Sequence, residues 1–201
     1  MKRWRALIVL LLLLSFAASL AAAIQDPTPK IINQQPQPKT IDPIQFLSGS
    51  HSLGAHVFEK VVSTGLLKLR STTITQSLRV EGSLIAQSAR LGTLDVTGEA
   101  SLSDSIIASP CTITGTIRTQ NTTFQSLLTL GAQKAFFASS HLHSITIRKD
   151  LSYKGKQLIE LKQKTIVDGP ITFESGRGEV HLYPGSQVLG PVTGGKVVRK
   201  G

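Results

Sequence analysis

One cysteine, Cys111, stands in the whole chain, which excludes an internal disulfide framework. Stability has to come from packing and backbone pairing. Cys111 sits in an apolar, strand-like slot, where a small buried side chain is the expected role. Acidic side chains are also scarce: twelve Asp and Glu, dispersed along the sequence. Polysaccharide lyases and hydrolases need clustered carboxylates, or a base beside acidic metal ligands, and this chain offers little for either. Aromatic residues make up 5%. Few of them interleave with the basic residues, which are scattered rather than striped, so nucleic acid is not an expected partner. After Ile24 no apolar run approaches the ~18 residues that a membrane-spanning helix requires.

The start of the chain is different. Lys2, Arg3 and Arg5 precede an apolar stretch with five leucines, Leu10 to Leu14, and a run of small residues ending Ala21-Ala22-Ala23. A basic segment, an apolar segment and small residues are the three parts of a secretory signal peptide. Cleavage is expected after Ala23, with Ala21 the alternative, and the competing reading is an uncleaved anchor. No cysteine follows the apolar run to make a lipoprotein. The formal charge is +10, of which the signal peptide carries three. The remainder serves solubility or attraction to an anionic partner.

Residues 24–55 form the expected linker, holding Pro27, Pro29, Pro36, Pro38 and Pro43 with interspersed glutamines. Proline removes backbone donors and favours extended chain, so this stretch is expected to be a tether.

From there one phrase recurs: an apolar residue, a polar one, an apolar or small one, then a glycine close behind. It ends at Gly65, Gly82, Gly98, Gly115 and Gly131, with spacings of 17, 16, 17 and 16. Two residues beyond the first four glycines stand Leu67, Leu84, Ala100 and Ile117, and nine beyond stand Ile74, Leu91, Ile107 and Phe124. Alternation of period two marks strands. A unit this short cannot bury its apolar face alone, whereas stacked units share one core. The expected fold is all-β: a single-stranded, three-sided β-solenoid over residues 56–150, one glycine spacing per coil, with glycine at one corner. The phase slips at Gln133, which falls on a core position, so a coil end or an insertion is expected around 133–150. Tyr153 to Gln163 reads as a short helix or a charged hairpin. Residues 151–201 read as a degenerate repeat or hairpin cap, in which Gly169-Pro170 and Gly190-Pro191 match.

Val80-Glu81-Gly82-Ser83-Leu84-Ile85-Ala86, then Asp95-Val96-Thr97-Gly98 and Thr112-Ile113-Thr114-Gly115-Thr116-Ile117, resemble the bactofilins, bacterial polymer-forming cytoskeletal proteins. The resemblance covers about residues 61–147, with 165–198 in weaker form. It implies a short three-sided β-helix that associates end to end. Bactofilins are typically cytoplasmic, whereas this chain carries an export signal.

Candidate sites are few. Glu81 and Asp95 fall near corners one coil apart and form the one candidate acidic pair. His141 and His143 share a strand face and, with His181, are the only candidate metal ligands. Asn121-Thr122-Thr123 matches a glycosylation sequon. Gly176-Arg177-Gly178 reads as a hairpin turn rather than a phosphate loop. No catalytic set, cofactor or metal is expected. The expected function is an exported, non-enzymatic scaffold or self-associating module, in the periplasm or on the surface of a bacterial cell. The alternative is an adhesin-like module binding glycan or an anionic envelope polymer. An enzyme acting on polysaccharide comes third.

Overall fold

The structure, a computed structural model, describes residues 41–201. The expected signal peptide and the linker up to residue 40 lie outside the described residues. Everything described is strand, turn or bend, with no helix among the described residues. The strands are β1 (Ile41–Leu53), β2 (Val57–Arg70), β3 (Thr73–Gln87), β4 (Arg90–Ser103), β5 (Ile106–Ile107), β6 (Cys111–Gln120), β7 (Thr123–Gly131), β8 (Lys134–Ala138), β9 (His141–Ile147), β10 (Gln157–Lys162), β11 (Ile166–Val167), β12 (Ile171–Phe173), β13 (Gly178–Leu182), β14 (Gln187–Val188), β15 (Val192–Thr193) and β16 (Gly195–Arg199). Every ladder between them is parallel, and they stack as a β-solenoid of about 9 turns.

Inward columns, stacked in register, make the core, and three of them run almost the whole length. The first runs Val61, Leu78, Leu94, Cys111, Leu128, Ile145, Ile171 and Val192 in register. The second runs Leu67, Leu84, Ala100, Ile117, Ala135, Ile159, Val180 and Val197. The third joins Phe58, Ile74, Leu91, Ile107, Phe124, Leu142, Val167 and Val188. Most of these side chains are fully buried, and each large aliphatic contributes about 1.5–3 kcal/mol relative to exposure. One polar residue interrupts a fourth apolar row. Ser63 sits in register with Leu47 and Val80, buried, and its Oγ has no hydrogen-bond partner.

Four expectations need correction. The folded part begins at Ile41, inside the stretch assigned to the linker, because β1 pairs with β2 along its length. Pro43 is tolerated there because, among the described residues, β1 has a partner on one edge only. Gln133 is exposed at a corner; the chain takes one extra residue, and Ala132 and Ala135 point inward instead. Residues within 153–163 are neither helix nor hairpin: β10 lies parallel between β8 and β13. The insertion expected around 133–150 is there, as the one extra residue beside Gln133 and as the longer loop 148–156 that precedes β10. The C-terminal part continues the solenoid without hairpins. Gly176-Arg177-Gly178 is a corner between β12 and β13, which do not pair with each other.

Coil length follows from these insertions. In the first coils the register steps from Val61 to Leu78 and on to Leu94, matching the glycine spacing. Across the insertion the steps lengthen, from Ala135 to Ile159 on one side and from Ile145 to Ile171 on another. The next step, from Ile171 to Val192, is intermediate.

Candidate functional site

Gly65, Gly82, Gly98 and Gly115 form one corner column, each in register with the next. Their φ values, +113°, +132°, +133° and +129°, lie where an L side chain is strained. A Cβ on any of them would also strike the carbonyl oxygen of the glycine one coil below. Two features differ from the expectation. Gly49, at φ +96°, begins the column below Gly65. Gly131 does not extend it. It pairs with Thr114 rather than Gly115 and lies outside the left-handed region, so its role as a corner glycine fails.

A second corner went unread in the sequence. Ser71, Ser88, Asp104, Asn121 and Ser139 adopt φ of +48° to +55°. The residue after each turns inward. Thr72, Ser105, Thr122 and Ser140 are buried, and Thr165 and Ser186 continue the column. Their hydroxyls tie successive coils together. Thr72 Oγ1 donates to the Gly54 carbonyl at 2.7 Å, Ser105 Oγ accepts from the Ala89 amide, Ser140 Oγ from the Thr122 amide, and Ser186 Oγ from the Thr165 amide. Buried hydroxyls are thereby satisfied, as burial demands. Outside the corner, Asn121 Nδ2 donates to Asp104 Oδ1 at 2.8 Å. In the candidate sequon Asn121 is exposed and Thr122 is buried.

Cys111 fills a leucine column and is buried, and burial, with Asp95 adding to it, pushes its thiol pKa far up. A thiol held protonated is a packing group. Glu81 and Asp95 both lie beside Arg79. Glu81 pairs with Arg79 at 3.2 Å, and Asp95 lies in register with Arg79. His141 and His143 both face outward from β9, as expected, and His181 is on another face. His141 Nε2 lies 2.8 Å from Asp168 Oδ2, His143 is exposed, and His181 Nε2 lies 3.3 Å from Glu179 Oε2. Among the described residues no three His, Cys, Asp or Glu side chains come together as a metal site.

The densest polar cluster is at the wide end. Lys156, from the 148–156 loop, Arg177, from the β12–β13 corner, and Lys196, from β16, surround a groove of about 490 Å³ that contains Gly176, Gly178, Gly194 and Gly195. Glu179 joins them. Its Oε1 lies 2.8 Å from Lys156 Nζ and 3.5 Å from Lys196 Nζ. Lys156 and His181 hold its carboxyl down to about 2 against a usual 4.5. The buried Gln157 anchors the loop, its Nε2 donating to the carbonyls of Arg148 at 2.8 Å and Ala132 at 3.2 Å. Comparison with protein-family models, curated proteins and solved structures finds no match for the chain.

Proposed function

We propose that this protein is an exported, non-enzymatic structural module of the cell envelope that acts by self-association along its solenoid axis. The observation that carries the reading is the state of the core at the last coil. Val197 is in register with the fully buried Val180, yet it is 42% exposed. Val188 and Val192, the last members of the other two columns, are only half-buried. The inward columns therefore run out into solvent at this end. Among the described residues β14, β15 and β16 each pair on one edge only. At the other end β1 likewise has one partner. An open parallel edge over an open apolar column is a template for another strand layer. The bactofilin-style repeat supports the same reading, and the signal-like N-terminus supports export. The acidic candidates support a non-enzymatic role, since Glu81 is engaged by Arg79.

Light scattering and electron microscopy of the mature chain test this. Concentration-dependent growth into linear assemblies is expected, and Val197→Asp should suppress it. A species that stays monomeric at high concentration overturns the reading.

A further inference from the structure

Charge is distributed unevenly along the solenoid. Residues 41–147 hold seven Lys and Arg against six Asp and Glu, whereas residues 148–201 hold ten against five. The carboxylates of the second region are largely engaged. Asp168 lies against His141, Glu160 against Lys162 and Glu179 against Lys156 and Lys196, while Asp150 accepts from Ser152 and Glu174 from the Lys149 amide. The excess cations therefore face solvent.

We propose that the glycine-lined groove beneath Lys156, Arg177 and Lys196 binds a linear phosphate-bearing polymer. Three observations converge on it. First, the three cations come from three separate chain segments and meet only through coil register, around one groove. Second, they keep donors to spare. Each ammonium has three, of which one is directed at Glu179, and the Arg177 guanidinium spends Nη1 on the Lys154 carbonyl at 3.1 Å. Lys156 and Lys196 remain 65% and 66% exposed, while Glu179 is 17% exposed and holds both lysines over the groove. Third, the groove wall is largely backbone: Gly178, Gly194 and Gly195 pack tightly on Phe173, and a side chain on Gly176 would meet only open space, so an extended chain can approach the backbone. A flat bilayer would touch only the lysine tips. The oxygens of a tetrahedral phosphate diverge in three dimensions, so they can meet cations that arrive from three chain segments better than the two coplanar oxygens of a carboxylate.

Fluorescent linear polyphosphate is the probe, titrated with the mature protein at low salt. Tight binding that weakens steeply with added sodium chloride is expected. The triple substitution Lys156→Gln, Arg177→Gln, Lys196→Gln should weaken it by about tenfold or more, since each lost contact is a charge-assisted hydrogen bond. Lys60→Gln with Lys68→Gln, on the narrow coils, should leave it unchanged. Circular dichroism on the same samples reports the fold, which the triple variant should retain, and light scattering reports self-association separately. The proposal is overturned if the triple variant binds as the parent does, or if the control loses as much. Equal affinity for polygalacturonate, or binding only to phosphatidylglycerol vesicles, overturns it as well. Loss of assembly with binding intact would count against the scaffold reading alone.

Discussion

The narrow coils of residues 41–147 and the wide coils of residues 148–201 share one core and solve the corner problem differently. In the narrow coils one corner, up to Gly115, is built by backbone alone, beside the hydroxyl-tied corner that runs through both regions. A glycine at positive φ repeats at the same place, and each glycine carbonyl fills the space a Cβ would need on the next. The coils are interchangeable and nearly charge-balanced. In the wide coils Gly190 still packs against the Gly169 carbonyl, and side chains hold the inserted loop in place. Gln157 ties the 148–156 loop to two carbonyls, and Glu179 ties that loop to β13 and β16 through two lysines. Regularity buries the narrow half, while irregularity gives the wide half a groove, a charge and a candidate function. In a solenoid each coil contacts only its neighbours, so the two halves can diverge without cost to each other.

The largest effect should come from the glycine column. Gly98→Ala adds a Cβ against the Gly82 carbonyl at a φ of +133°, and a loss of about 3 kcal/mol or more is expected in chemical denaturation. Gly131→Ala meets only the Thr114 side chain, at 3.3 Å, and should cost less than about 1 kcal/mol. Equal losses would erase the distinction between column and non-column glycines. Next comes the side-chain anchor of the wide coils. Gln157→Leu strips the Ala132 and Arg148 carbonyls of their donor and should cost about 1–3 kcal/mol. Hydrogen exchange should rise in the 148–162 segment and stay unchanged in β3 and β4. A uniform rise through all coils would show that the halves are not separable.

The smallest effect is a pH dependence confined to the wide half. Glu179 faces Lys156 from the loop, Lys196 from β16 and His181 on its own strand. Its folded-state pKa is depressed from 4.5 to about 2, so its contribution is complete above 4.5 and disappears as pH falls through 2. A carboxyl NMR titration should place its midpoint near 2, and Glu179→Gln should flatten acid sensitivity in β10, β13 and β16. A midpoint near 4.5 would remove the ion-pair account.

Much of the fold was legible because stacked identical coils write their period into the sequence. Gly65 to Gly115 and the apolar positions after them fell where the repeat placed them. Three readings failed for separate reasons. Gly131 kept the glycine spacing, but one extra residue after it moved Ala132 and Ala135 into the core and left Gln133 outside. Gly49 also kept the spacing, yet it sat among residues that read as tether. The column from Thr72 to Ser186 was missed because small hydroxyl residues in an alternating pattern read as surface. Only the left-handed turn at Ser71 and its equivalents sends the following hydroxyl inward.

What the sequence determined by itself was the class of architecture, through an evenly recurring strand phrase and a glycine that no other residue can replace at its corner. Those are local constraints, repeated in coil after coil. The tertiary structure decided which polar groups meet. Lys156, Arg177 and Lys196 come together only because β10, β13 and β16 stack with Leu158, Glu179 and Lys196 in line, although the wide coils separate them along the chain. Register across coils, and not proximity along the chain, built the groove.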